Sequence, residues 1–302
     1  MAETNAPALA SAVPAPSAVL ELFKPITWFA PMWAFMCGVV SSGVSPTSRW
    51  PLLIGGIVLA GPLVCATSQA VNDWYDRHVD AINEPGRPIP SGRIPGDWGF
   101  WIAVAWTGIS IAFSTLLGAW VFSAALLGLV LSWAYSAPPL RLKQSGWLGP
   151  AAVAVSYEGI TWFTGAAVMS GALPDWRILF LAASYSVGAH GIMTLNDFKA
   201  VEGDSRMGIR SLPVELGVEN AALIACAMMA LPQIVVVVRL AAWGRPVYAT
   251  IVGAFLVAQC VLMARLLRDP RKYAPWYNAT GTSLFVFGML AAAFAVRPLV
   301  GA

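Results

Sequence analysis

Long apolar runs alternate with short polar loops from about residue 26 to the end of the chain. Nine runs can be drawn, at 26–44, 51–72, 99–118, 120–138, 148–170, 176–196, 219–239, 246–266 and 279–297. Each comes near the roughly 20 residues that carry a helix across a bilayer. None alternates polar with apolar residue by residue, as the strands of a membrane barrel do. The pattern predicts an all-α polytopic membrane protein with nine transmembrane helices. Residues 1–20, rich in Ala, Pro and Ser, read as a flexible cytoplasmic tail, and residues 21–302 as a single domain. No basic segment leads into a short apolar run and cleavage site, so no signal peptide is expected.

Composition sharpens this picture. Hydrophobic residues make up 58% of the chain and charged residues 11%, whereas soluble domains carry about a quarter charged residues. That excludes disorder and a soluble enzyme. The net charge of +3 is too small and too interspersed for nucleic acid. Cys37, Cys65, Cys226 and Cys260 lie inside apolar stretches without a CxxC pair and read as small buried hydrophobes. With the N-terminus inside, 13 of the 18 Lys and Arg residues fall in cytoplasmic segments, as the positive-inside rule requires. An odd number of spans then leaves the C-terminus periplasmic.

The acids are concentrated. Ten of the 15 lie in the two inside segments that follow spans two and six. Asn72, Asp76 and Asp80 are spaced by four and share a helical face, with Asp73 beside them. Like charges at that spacing destabilise a bare helix, and a divalent cation is an economical compensation. Oxygen ligands without His or Cys suit Mg²⁺. His78 points elsewhere and reads as a surface residue. The second cluster contains Asn196, Asp197, Lys199, Glu202 and Asp204, and Asp197 and Asp204 share a face if the helix persists. Both clusters open with Asn-Asp, 124 residues apart (197 − 73), which suggests two four-helix pseudo-repeats plus one helix. Arg87, Arg93, Lys143, Lys199 and Arg206 stand beside the acids and suit phosphate oxygens. Together they predict a shared metal–phosphate site.

Three further features bear on chemistry. Pro138 and Pro139 stop span four, which places Tyr135 on its last turn and returns Lys143 toward the site. Glu158 falls at mid-span in helix five, where a charge costs roughly 2.5–3.5 kcal/mol, so it must face the bundle or a cavity. His190, inside span six, reads as an interhelical histidine or as a ligand to a bound cofactor.

The phrases Asn72-Asp73-Trp74-Tyr75-Asp76-Arg77-His78-Val79-Asp80, Arg87-Pro88-Ile89-Pro90-Ser91-Gly92-Arg93 and Tyr135 through Lys143 resemble the intramembrane aromatic (UbiA-type) prenyltransferase superfamily. The resemblance runs from Leu20 onward. Within the superfamily, Lys24 through Trp33, Asn83 through Arg93, Gly188 through Thr194 and Asn196 through Asp204 are most similar to the chlorophyll and bacteriochlorophyll synthase branch. The resemblance implies nine helices around a central chamber and a Mg²⁺-dependent transfer of a geranylgeranyl or phytyl group from its diphosphate to the propionate of bacteriochlorophyllide a. It implies metal contacts at Asn72, Asp73, Asp76, Asp80, Asp197 and Asp204, and a catalytic group of Asp76, Asp80, Tyr135 and Lys143. Lys24 joins the diphosphate-binding bases. Glu158 and His190 become candidate pigment contacts, His190 through the pigment's central Mg. The setting is the bacterial inner, photosynthetic intracytoplasmic membrane, where other pigment-synthesis or photosystem-assembly proteins are candidate partners. One departure stands out: where many superfamily members have DxxxD in the second motif, the earlier Asp falls at Ala200. Asp197, Glu202 and Asp204 then compete for the metal.

Three rivals remain. A transporter would place its charges near the midplane, whereas here they crowd one face. An alcohol phosphotransferase would need an Asp-Gly pair before Ala-Arg, which is missing. Chlorophyllide, a quinone ring or haem as acceptor would share the metal site and differ only in the acceptor pocket.

Overall fold

A computed structural model describes residues 13–300 of the chain. The described residues form helices joined by short loops. Of the expected tail, residues 1–12 lie outside the described region, and residues 16–20 belong to a short helix, α1 (Pro16–Leu22), whose proline sits in the first turn.

The long helices follow in order: α2 (Phe29–Ser41), α3 (Pro46–Asn83), α4 (Trp98–Thr115), α5 (Ala119–Ser136), α6 (residues 148–170) and α7 (Trp176–Leu195). Two short helices, α8 (Val201–Arg206) and α9 (Leu212–Leu216), precede α10 (Val218–Ala242), α11 (Pro246–Leu266) and α12 (Pro270–Val296). Among the described residues, seven helices are long and apolar enough to cross a membrane. They are α3, α4, α5, α7, α10, α11 and α12. The other two expected spans differ in kind. The first is a shorter apolar helix, Pro25–Ser41, that begins with a 3₁₀ turn, and α6 is interrupted by a π-helical segment, Val155–Ile160.

Two helices outrun their hydropathy. Helix α3 extends past the apolar run to Asn83 and carries the first acid cluster rigidly out of the bundle end. Helix α12 starts at Pro270, nine residues before the expected span, because Asp269 caps it by accepting from the Lys272 amide at 3.2 Å. Elsewhere observed and expected edges agree within a few residues.

Packing holds the acid-bearing helices in fixed relation. Helix α7 packs along α10 and α12, and α11 packs on α12. Helix α2 lies against the C-terminal half of α6 with backbones nearly touching: a Cβ on Gly38 would collide with the Trp162 carbonyl, and one on Gly165 with that of Phe35. Small residues at a crossing gain close van der Waals contact, which drives helix association in lipid. Trp162 also donates its indole N–H to Ser41 at 3.0 Å across the same crossing. Cys37, Cys65 and Cys226 are buried as expected, whereas Cys260 is exposed on α11.

Candidate active site

The two acid clusters meet. Asn72, Asp76 and Asp80 from α3 line one wall of a cavity of about 580 Å³, and Asn196, Asp197 and Asp204 line the other. Tyr135 from the end of α5 and Lys143 from the following loop close it. The helix after α7 does not persist: a 3₁₀ turn, Asn196–Lys199, leads into α8. Asp197 and Asp204 still reach one cavity, and the first turn of α8 is closed by the Asp204 amide on the Ala200 carbonyl at 2.8 Å.

The loop after α5 is pinned to the loop after α8. Gly146 N–H donates to the Arg210 carbonyl at 2.7 Å, and Arg210 N–H donates to the Gln144 carbonyl at 3.0 Å. This short parallel bridge, Ser145 to Arg210, fixes Lys143 relative to Asp204.

The protein's own cations neutralise the first cluster. Lys24 donates to Asp73 at 2.6 Å, Arg87 donates to Asp80 at 2.8 Å, and Lys143 donates to Asp76. Asn72 donates to Asp76 at 2.9 Å and is itself within 3.3 Å of the Ser136 hydroxyl. These cations relieve part of the repulsion along α3 that the four-residue spacing creates. Among the described residues no comparable ion pair engages Asp197 or Asp204.

Several candidates sit off the cavity wall. Asp73 lies one position around the helix from the Asn72–Asp76–Asp80 face, about 100° away. It faces Lys24 and Arg87, with its Oδ2 buried and unpartnered. Lys24 is held by Asp73. Arg93 forms an exposed bidentate pair with Glu21 of α1, at 2.5 and 2.8 Å, and lies at the periphery. Arg87 is fastened to Glu84 as well as Asp80. Lys199 and Arg206 are exposed and outside the cavity lining. Glu202 pairs with Arg271 of α12 at 2.6 Å and lies outside the cavity lining. His78 is exposed, as expected.

Burial tunes two groups that do face the cavity. It pushes the Asp204 carboxyl above the usual carboxylate range. It also lowers the Lys143 ammonium, against the pull of Asp76.

Sequence reasoning missed Arg141. It adopts a left-handed backbone (φ 39°), lines the cavity and buries an unpartnered Nε. It stands two residues from Lys143, and no spacing rule separates the two. Ser136, which holds Asn72, gave no signal beyond its neighbour Tyr135.

Behind the cavity lies an apolar chamber of about 470 Å³, which shares Asn72, Tyr135 and Asn196 with it. Ile26, Phe29, Ala30, Leu131, Val153 and Met193 contribute to its wall. A third space, of about 690 Å³, is a groove between α5, α6 and α7 that His190 borders. His190 donates Nε2–H to the Trp147 carbonyl at 3.0 Å and leaves Nδ1 buried and unpartnered. Glu158 is buried in the π-helical segment, apart from the acid-lined cavity.

The donor set tests the fit of Mg²⁺. The cavity wall presents four carboxylates and three side-chain amides, Asn72, Gln144 and Asn196, whose oxygens are all hard donors. No three of the described carboxylates or imidazoles converge into a cage of their own. Mg²⁺ takes one or two carboxylates and completes its shell with phosphate oxygens and water.

Comparison with known proteins gives a consistent result. Residues 28–289 match the UbiA prenyltransferase family. The chain is 58% identical over 287 residues to the bacteriochlorophyll synthase 33 kDa chain of Cereibacter sphaeroides, covering 95% of each. It is 53% identical to the corresponding chain of Rhodobacter capsulatus, covering 94% of this chain and 95% of that one. Its fold is similar to that of a UbiA homolog from Archaeoglobus fulgidus bound to DMAPP and Mg²⁺. That match has a TM-score of 0.75 at 19% identity and covers 93% of this chain and 99% of the other.

Proposed function

The chain belongs to the UbiA prenyltransferase family and is a multi-pass membrane prenyltransferase, and from that premise we propose that it esterifies bacteriochlorophyllide a with a geranylgeranyl or phytyl group taken from the diphosphate. The observation that carries the reading is the junction of an acid-lined cavity with an apolar chamber at one end of the bundle. A prenyl diphosphate has the same two-part character: a polar head and a lipid-soluble chain.

Asp76, Asp80, Asp197 and Asp204, with Asn72 and Asn196, would hold Mg²⁺. The ion supplies positive charge to the departing diphosphate. Lys143 binds the diphosphate from the opposite side, and Arg141 adds a second cation to that wall. The C1–O bond of the allylic diphosphate breaks, and the electron pair leaves with diphosphate. The chamber wall keeps water from the allylic cation. A propionate oxygen of the acceptor then bonds to C1. The acceptor is already an anion at neutral pH, so the protein need not remove a proton.

His190 and Glu158 remain our candidates for contact with the pigment, His190 through the groove it borders. Lys24 and Arg87 act as the frame that sets the acids rather than as diphosphate ligands, and Arg93 lies outside the site. The cavity faces the cytoplasmic side of the inner membrane, a reading that the positive-inside bias supports.

The test is ester formation by membranes containing the chain, supplied with Mg²⁺, geranylgeranyl diphosphate and bacteriochlorophyllide a, and read by chromatography. Ester from the wild type supports the assignment. No ester from folded protein, together with transfer to a quinone-ring acceptor, would overturn it.

A further inference from the structure

The apolar chamber has a floor, and the floor is built from side chains that the transfer reaction does not require. Tyr157 stands at the boundary between the 470 Å³ chamber and a narrow pocket of about 40 Å³ deeper in the bundle. Ser68 of α3, and Ser132 and Ser156 of α5 and α6, border both spaces with it. Beyond that boundary the narrow pocket runs between Pro31, Leu59, Ala60, Ala125 and Thr164, so it lies one to two helical turns further from the acids.

The Tyr157 ring is held in place. Its hydroxyl accepts from Gln69 Nε2 at 3.1 Å and from Cys65 Sγ at 3.4 Å. Cys65 is further tied to Thr27 at the entry to α2, at 3.6 Å. Both partners come from α3, and Cys65 ends its π-helical segment, Leu59–Cys65, while Tyr157 lies inside that of α6, Val155–Ile160. A π segment adds a residue to a helical turn and turns the side chains after it relative to those before. Here the Cys65–Tyr157 hydrogen bond joins the two segments and holds the tyrosine between the two spaces.

We propose that Tyr157 is the chain-length gate of this enzyme: it closes the far end of the chamber and sets how many isoprene units can be accommodated behind the bound diphosphate. The inference rests on the reading that the chamber receives the allylic chain. Ser132 of α5 borders the same two spaces, so bulk added there shortens the space and bulk removed at Tyr157 lengthens it.

The experiment is a competition. Purified protein receives Mg²⁺, bacteriochlorophyllide a and an equimolar mixture of farnesyl, geranylgeranyl and geranylfarnesyl diphosphates, and the esters are separated by chromatography. Tyr157→Ala is expected to raise the ratio of geranylfarnesyl to geranylgeranyl ester by about tenfold, the discrimination that pocket volume commonly supplies. Tyr157→Phe keeps the ring and loses the hydroxyl bonds, so its ratio should stay within about threefold of wild type. Ser132→Leu should raise the ratio of farnesyl to geranylgeranyl ester, favouring the shorter chain. Ratios do not depend on how much protein folds, so a partly unstable variant still reports. Unchanged ratios in both Tyr157→Ala and Ser132→Leu would overturn the gate. If the wild type forms no ester from any of the three, the reading of the chamber itself has failed, which is a separate outcome.

Discussion

Asp76 is the residue on which the site turns. It accepts from Lys143 and from Asn72, and it lines the cavity opposite Asp197. Asp76→Asn should lower ester formation by about a hundredfold to a thousandfold, as loss of one preorganised electrostatic partner does. Lys143→Met should cost a similar factor. Because the two side chains form one pair, the double variant should lose far less than the product of the two, measured as initial rates in a double-mutant cycle. Arg93→Ala is the contrast: its exposed pair with Glu21 is peripheral, so activity should stay within about twofold of wild type. Protons also compete at this site. Burial raises the Asp204 carboxyl, so it takes up a proton at a higher pH than an ordinary carboxylate. The Mg²⁺ concentration needed for half-maximal rate should therefore climb as pH falls, and this rise should be smaller in Asp204→Asn, read from Mg²⁺ titrations of the initial rate at several pH values. The four-residue spacing made Asn72, Asp76 and Asp80 legible, since a helix sends them to one face. Spacing alone cannot say which cation meets which acid, because Lys24, Arg87 and Lys143 arrive from three separate segments.

Helices were legible where hydropathy and length agree, and illegible where polar chain continues a helix. The acid face of α3 lies beyond its apolar run, and the first turns of α12 precede theirs, held by the Asp269 cap. The π segments left no mark in the pattern, since an extra residue in one turn changes neither length nor hydropathy enough to be seen. Crossing geometry was equally hidden. Gly38 and Gly165 are ordinary glycines in sequence, yet they let α2 and α6 approach to backbone contact. Gly38→Ala should lower stability by about 1–3 kcal/mol, because the Trp162 carbonyl cannot move aside as a side chain would. Gly108→Ala on α4 meets open space and should be neutral or stabilising, since alanine favours helix by about 1 kcal/mol over glycine. Thermal unfolding of both variants in detergent distinguishes the two positions; equal melting temperatures would mean that the crossing tolerates a methyl group.

Across the whole molecule, charge is balanced unevenly about the cavity. On the α3 side each aspartate already has a lysine or arginine, so that wall is close to neutral before any ligand arrives. On the α7–α8 side, Asp197 and Asp204 have no such partner among the described residues, while Arg141 across the cavity has no acid. A cation alone would satisfy the acids and leave Arg141 facing added positive charge. A diphosphate alone would satisfy the bases and sit beside two uncompensated carboxylates. Bound together, each removes the other's penalty, so their affinities are coupled, and the coupling is reciprocal. The expected outcome is a melting temperature that moves little with Mg²⁺ alone or with geranylgeranyl diphosphate alone. With both present it should rise by more than the sum of the separate shifts, as ligands that bind only the folded state require. Chelation should reverse the rise only when the diphosphate is there. A full shift from Mg²⁺ alone would show that the acids on the α7–α8 side cage the ion without the substrate, and Arg141 would then have to find its counter-charge elsewhere.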